Sequence, residues 1–238
     1  MYSVFLLILS CFLFATLASL IKFLSDHIHP FEQAFFRNII SIIIILPFVI
    51  KYDLKIQNKK NIRLLFLRAL FGGVTMILLF LSYSLIPLSQ AMAISFTTPL
   101  FMYLGGIFFF KEKSEKINNF GILIGFLITI ILIRPDLDME LGIILALAAS
   151  ITHATAGLLV KKISQTESIL VLMFSMVCFM APISFIPSFF VWVTPNSPHV
   201  YGWLILIALV ATLGNFLWTK ALSMENLTNL MPFEFSKL

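Results

Sequence analysis

The sequence predicts an all-α integral membrane protein, a multi-helix bundle of two inverted five-helix repeats of which the second is incomplete. Composition is the first reason, because 60% of the residues are apolar and 11% are charged, too few charges to cover a water-soluble domain. The second is that the apolar residues form long runs. The third is that a sequence pattern occurs twice. Ala15-Thr16 returns as Ala154-Thr155, and the separation between these two pairs is the fixed offset of the repeat.

Eight apolar runs have the length of about 17 to 25 residues that a membrane-spanning helix needs. They lie at residues 4–24, 31–50, 64–85, 90–110, 117–133, 141–160, 169–193 and 201–223. The runs are rich in Ile, Leu and Phe and lack period-two alternation, which excludes the short, half-polar strands of an outer-membrane barrel. In lipid each segment must form its own backbone hydrogen bonds, so the runs are predicted to be helices.

Basic residues concentrate in alternate loops between these runs. The second, fourth and sixth loops carry Lys51, Lys55, Lys59, Lys60, Arg63, Lys111, Lys113, Lys116, Lys161 and Lys162. The other loops offer Lys22 and Arg134, and the fifth also holds Asp136, Asp138 and Glu140. Because cytoplasmic loops are enriched in Lys and Arg, we predict a multi-pass protein of the cell inner (plasma) membrane with a cytoplasmic N-terminus. These loops also account for the net charge of +5, so no nucleic-acid partner is predicted.

The fixed offset contains five predicted helices, an odd number, so the second copy enters the membrane from the opposite side. We assign residues 1–138 to the first repeat, with five helices, and residues 139–238 to the second, with three helices and the start of a fourth. Inverted repeats are typical of secondary transporters, whose two halves exchange conformations around a shared central site. Leu238 corresponds to Pro99, which predicts either a fragment or a truncated product.

Five short motifs make the chain similar to the EamA group of the drug/metabolite transporter superfamily. They are HPFEQAFFR at residues 29–37, LRAL at 67–70, SFTTPL at 95–100, IRP at 133–135 and KALSM at 220–224. Several of them resemble the bacterial S-adenosylmethionine transporter branch more than amino-acid exporters. The resemblance covers the whole chain and implies ten helices in two five-helix repeats, with transport of a small metabolite as the activity.

Arg37 is the first candidate for contact with a substrate, because a charge inside a span must face protein or water. Gln33, Arg37 and Ser41 are four residues apart and form one polar stripe. Arg37 could bind an anionic moiety such as a carboxylate, or it could make a structural contact between helices, and the sequence leaves both interpretations open. Glu32 lies too far around the helix to pair with Arg37 and is assigned to the outer rim.

Polar residues in two further spans are candidates for the substrate pathway. They are Gln90, Thr97 and Thr98 in the fourth span and Thr212, Asn215 and Thr219 in the eighth. Pro99 removes a backbone donor near mid-membrane, and discontinuous helices often border transport sites. The alternative for the Thr and Asn residues is hydrogen bonding between helices.

Two titratable residues are candidates for proton coupling, His153 in the sixth span and Glu234 near the end of the sequence. The pKa of a histidine suits such a role, but a packed, hydrogen-bonded residue is the alternative. Arg68 and Lys220 are interpreted as topology anchors near the cytoplasmic ends of their helices, where long basic side chains can reach the interface.

No motif of an enzyme, a metal site, a cofactor site or a nucleotide-driven pump is present in the sequence. We therefore predict a secondary transporter of a small polar organic metabolite, amino-acid-like or S-adenosylmethionine-like, that works by alternating access in the lipid bilayer. The alternatives are a noncatalytic membrane assembly protein and an inactive truncated carrier. A homodimer is left open.

Overall fold

The computed structural model describes residues 1–133, 141–195 and 197–237. In this part of the chain the regular structure is helical. The α-helices are α1 (Tyr2–Leu24), α2 (Pro30–Lys51), α3 (Asn61–Leu85), α4 (Leu88–Ser95), α5 (Thr97–Phe110), α6 (Lys116–Ile133), α7 (Leu141–Ile163), α8 (Ile169–Phe189), α9 (Pro198–Met224) and α10 (Leu227–Glu234), and a 3₁₀ turn follows at Phe235–Lys237. The predicted all-α class is confirmed.

Seven of the eight predicted spans coincide with described helices that are long and apolar enough to cross a membrane, with α4 and α5 taken together as one span. Large apolar side chains on these helices point away from the bundle, and those of Phe12, Phe108 and Phe109 are 68%, 73% and 76% exposed. Such a surface suits contact with lipid. The predicted fifth span corresponds to α6, whose described apolar part, Lys116–Ile130, is shorter than the others. A crossing by α6 therefore stays a prediction.

The fourth span is interrupted at Phe96, between α4 and α5. Pro99 is the third residue of α5 and has no N–H to donate to the carbonyl of Ser95, so the helical ladder cannot continue across this point. The neighbouring carbonyl of Ile94 accepts hydrogen bonds from the hydroxyls of Thr97 at 2.8 Å and Ser150 at 3.3 Å. The discontinuity predicted from Pro99 is thus present, and a hydroxyl of α7 contacts the backbone beside it.

The helix boundaries recur at the fixed offset that separates Ala15 from Ala154. The helices α1 and α7 both begin and end at this offset, as do α4 and α10, while α2 and α8 share their start and α3 and α9 their end. The packing also pairs the two regions, because α3 runs along α7, α1 runs along α9, and α2 packs against α8. The helices of residues 2–95 and 141–234 therefore interlock and do not form two separate bundles.

At one end of the bundle two of the predicted basic loops contact each other, and a third contacts α10. The carboxylate of Glu167 accepts hydrogen bonds from the backbone N–H groups of Gln57 at 2.9 Å and Asn58 at 3.0 Å, which ties the loop after α2 to the loop before α8. Glu112, after α5, accepts one from the N–H of Thr228 in the first turn of α10. The loops after α2 and α7, which the charge pattern places on one side of the membrane, thus meet in space.

The position of Lys161 differs from the cytoplasmic loop to which the sequence analysis assigned it. It lies inside α7, only 8% of its surface is exposed, and its Nζ donates to the carbonyls of Leu222 at 3.1 Å and Glu225 at 2.5 Å. A cation at the C-terminus of a helix satisfies carbonyl groups that lack an intrahelical partner. Lys161 is therefore a buried cap for α9.

The opposite end of the bundle is held by Glu32. Its side chain is fully buried and accepts a hydrogen bond from the N–H of Val193 at 2.7 Å, so it is not the rim residue that the sequence predicted. The long segment after α8 folds back over the start of α2 and covers it. The charged residues Arg134, Asp136, Asp138 and Glu140, which entered the topology prediction, lie outside the described residues.

Candidate functional site

A central cavity of about 140 Å³ lies between helices of both regions. Most of its wall is apolar. Its polar lining residues are Arg37, Arg68, Thr75, Tyr83, Ser95, Thr98, His153, Asn215 and Trp218. Concave sites with apolar walls and a few polar groups are the usual form of small-molecule binding sites. Among the described residues no group of three His, Cys, Asp or Glu side chains could hold a metal ion.

Arg37 reaches the cavity from the second turn of α2. Its guanidinium donates from Nη2 to Oδ1 of Asn38 at 3.2 Å and lies 5.9 Å from the centre of the Phe80 ring. The amide of Asn38 in turn donates to the hydroxyl of Ser184 at 3.0 Å, which anchors it to α8. In the described part of the chain no carboxylate lies within 4.0 Å of the guanidinium. The charge of Arg37 is therefore positioned by an amide and an aromatic ring, and it still faces the cavity.

Five polar lining residues were not selected by the sequence analysis: Arg68, Thr75, Tyr83, Ser95 and Trp218. Arg68 is the charged one among them. Its interpretation as an anchor that reaches toward the interface is wrong, because its side chain is 3% exposed and lines the cavity. Because α3 packs along α7, this face of α3 points to the interior. Gly72 and Thr75, four and seven residues further on, line the cavity too, and this spacing on one helix face is the signal that could have identified Arg68. Lys220, by contrast, is half-buried and sits 5.7 Å from the ring of Tyr2.

A smaller cavity of about 10 Å³ adjoins the central one and shares Arg37 and Asn215 with it. Ser41 and Thr212 line it and form a hydrogen bond of 2.8 Å between their hydroxyls. Asn215 donates from Nδ2 to the carbonyl of Ala211 at 2.8 Å. This volume is about that of one water molecule, so these residues form a polar extension of the central cavity.

His153 and Trp218 form the wall of the central cavity on α7 and α9, with ring centres 5.3 Å apart. Trp218 is 3% exposed, and its indole Nε1 has no hydrogen-bond partner among the described residues. Thr98, at the start of α5, also lines the cavity and donates to the carbonyl of Ser150 at 3.4 Å. The interrupted fourth span thus contributes directly to the cavity wall.

Five predicted site residues do not line either cavity. Gln33 donates to the carbonyl of Ile28 at 3.0 Å and closes the turn before α2, and Thr97 donates to the carbonyl of Ile94. Gln90 is half-buried elsewhere on α4, and Thr219 is buried within α9. Glu234 is buried at the end of α10, where its backbone carbonyl accepts from Sγ of Cys11 at 3.9 Å.

Comparison with known proteins gives a consistent result. The model of the EamA-like transporter family matches residues 1–134 and 140–237. The S-adenosylmethionine uptake transporter of Rickettsia bellii is 29% identical over 224 residues, which is 91% of this chain and 75% of that protein. The riboflavin transporter of Vibrio cholerae is 27% identical over 205 residues, 84% of this chain and 68% of its own length. One solved crystal structure, 13% identical, superposes with a TM-score of 0.79 and covers 99% of this chain and 84% of that one, which supports the fold alone.

Proposed function

The chain belongs to the EamA-like transporter family, and from that premise we propose that it is a secondary carrier that moves a small polar organic metabolite across the membrane by alternating access. The central cavity is proposed as the substrate site. The observation that carries this proposal is the buried guanidinium of Arg37, which faces the cavity without a described carboxylate partner.

The substrate is proposed to carry a carboxylate or a similar anionic group. A guanidinium binds such a group through two parallel hydrogen bonds, and Asn38 keeps that of Arg37 in place. Relatives named as S-adenosylmethionine and riboflavin transporters support a polar organic metabolite as the cargo. Amino-acid-like and S-adenosylmethionine-like solutes are therefore the first to be tested.

Alternating access is proposed from the two interlocked regions. Their helices share boundaries at the fixed offset, and helices of both regions line the central cavity. If the two regions are inverted repeats, they can exchange conformations and open the cavity to either side of the membrane. The interrupted helix pair α4 and α5, close to the cavity, supports this mechanism because broken helices border the binding sites of other secondary transporters.

An inner-membrane location with a cytoplasmic N-terminus is proposed from the charge of the loops. The loops after α2, α5 and α7 contain the predicted excess of Lys and Arg, and the first and third of them are joined by hydrogen bonds to Glu167 at one end of the bundle. Since basic loops stay on the cytoplasmic side, that end is proposed to face the cytoplasm.

The proposal is tested by solute exchange in proteoliposomes that contain the full-length protein. We expect Arg37→Ala to abolish exchange of S-adenosylmethionine or an amino acid while membrane insertion remains intact, because the variant removes the anion-binding group. Arg63→Ala is the matched control, since Arg63 lies exposed at the start of α3. Normal exchange by a well-inserted Arg37→Ala protein would remove Arg37 from the site, and no exchange of any tested solute by the unmodified protein would contradict the function.

A further inference from the structure

The central cavity holds hydrogen-bond donors that nothing in the described part of the chain accepts. They are Nε and Nη1 of Arg68 and Nε1 of Trp218. Both side chains are 3% exposed and both line the cavity. A buried donor without an acceptor costs free energy, and an arginine and an indole cannot accept hydrogen bonds. The group that satisfies them must therefore be an acceptor.

The charges of the cavity also indicate a ligand that accepts hydrogen bonds and carries negative charge. Arg37 and Arg68 both line it, and among the described lining residues none is Asp or Glu. An arginine stays protonated inside a protein, so the cavity carries two positive charges without a neutralising side chain on its described wall. Buried charges need a counter-charge or water. Arg37 has Asn38 and the Phe80 ring beside it, whereas Arg68 keeps two unpartnered donors.

We propose that Arg68 and Trp218 form an anion-binding subsite in the central cavity, in addition to Arg37, that takes a carboxylate or another oxyanion. The guanidinium of Arg68 provides charge and a planar pair of donors, and the indole N–H of Trp218 on α9 provides a further donor in the same cavity. The assignment of this anion to the transported solute rests on the proposed function.

The subsite narrows the substrate class. A solute with a single carboxylate can neutralise one of the two guanidinium groups, and the other is then left to a second anion or to water. Solutes with two anionic groups, or a single carboxylate bound together with an inorganic anion, match the cavity. A positive group on the solute gains no ion pair from the described lining residues and would have to lie against the aromatic wall.

The experiment uses Trp218 as the reporter. The chain has three tryptophans, and Trp192 and Trp203 are 40% and 38% exposed and do not line the cavity. Replacing both by Phe leaves Trp218 as the only tryptophan. Its fluorescence is then titrated with iodide, an anionic quencher, and with caesium, a cationic one, at constant ionic strength in the reconstituted full-length protein.

We expect saturable quenching by iodide and little by caesium. Arg68→Gln should weaken iodide binding by about tenfold, the usual effect of losing a charged hydrogen bond, while Arg68→Lys retains part of it and Arg63→Gln leaves it unchanged. Equal quenching by iodide and caesium, or none by iodide, overturns the subsite. Because Arg37 also lines the cavity, the same titration is made with Arg37→Gln, which should keep the asymmetry; its loss there would assign the quenching to Arg37 and overturn the subsite, whatever the folding of Arg68→Gln.

Competition identifies the source of the anion. Protection of Trp218 from iodide by L-glutamate assigns the subsite to a carboxylate of an organic solute, and protection by chloride alone assigns it to an inorganic anion. Solute exchange is measured on the same proteoliposomes. Iodide binding without exchange of any solute supports the subsite and contradicts the carrier function, so the two proposals fail separately.

Discussion

The regions 2–95 and 141–234 share a framework but differ in the side chains that they present to the central cavity. Arg37 and Met176 occupy positions related by the fixed offset, and both line the cavity, yet only the first region supplies a charge there. Met76 and Asn215 are related in the same way, with the polar residue in the second region. The two regions share their helix boundaries, but at each of these paired positions only one region supplies the charged or polar side chain.

The aromatic wall follows the same pattern. His153 corresponds to Phe14 and Trp218 to Leu79, and all four line the cavity. Neither region alone contains the full set of polar groups, because the charge of Arg37 comes from the first and the indole of Trp218 from the second. The helix framework common to the two regions positions the cavity, and the positions at which the regions differ supply its charged and polar groups.

The largest expected effect comes from moving the charge between the two regions. We expect Arg37→Met to reduce solute exchange by about a hundredfold, the upper range for loss of a charged hydrogen bond. Adding Met176→Arg should not restore it, because the acceptor beside Arg37 is Asn38, whereas the equivalent neighbour of Met176 is Val177. Exchange rates of the single and double variants in proteoliposomes check this. Recovery of the wild-type rate would show that the two positions are interchangeable.

The two ends of the bundle offer a second comparison, since Glu32 accepts from one backbone N–H and Glu167 accepts from two. Burial alone would raise the pKa of Glu167, but hydrogen bonds from the side chain of Asn61 and the N–H groups of Gln57 and Asn58 lower it below its ordinary value. A carboxylate with a lowered pKa in the folded state stabilises the protein above its ordinary pKa, and the contribution is lost as the pH falls through the folded-state pKa.

We therefore expect Glu167→Gln to lower the free energy of unfolding by about 2 kcal/mol at neutral pH. The difference in the free energy of unfolding between the variant and the wild type should narrow as the pH falls below the ordinary glutamate pKa of 4.5. Thermal unfolding in detergent from neutral to acidic pH measures it. Asp53→Asn is the control, because Asp53 pairs with Lys55 on the surface and such pairs contribute little. A gap that stays constant with pH would argue against a role for the charge.

The smallest effect is expected from copying Phe14 into the equivalent position of the second region. His153→Phe keeps an aromatic ring against Trp218, so we expect the exchange rate to change by less than about threefold and its pH profile to stay the same. The measurement is exchange as a function of pH for both proteins. Loss of the pH dependence in the variant would identify His153 as a proton-coupling residue and sharpen the contrast between the regions.

Part of the site could be predicted from the sequence because it depends on properties that run along the chain. Arg37 is identified because a charge within a long apolar run must be solvated by protein or water, and the break in the fourth span is identified because Pro99 lacks a backbone donor. The same reasoning does not identify Arg68. Its place near the start of α3 also suits a side chain that reaches the interface, and only the packing of α3 along α7 excludes that interpretation.

Hydropathy, segment length and spacing are one-dimensional properties, so the membrane class, the helical fold and the helices that recur at a fixed offset could be read from the sequence alone. The tertiary structure decided which faces of the helices meet. Several helices are apolar all round and carry no stripe that marks an inner face, so the rotation of each helix is set by its neighbours. That rotation buries Lys161 as a cap, turns Gln33 and Thr219 into packing residues, and brings Arg37, Arg68 and Trp218 to one cavity.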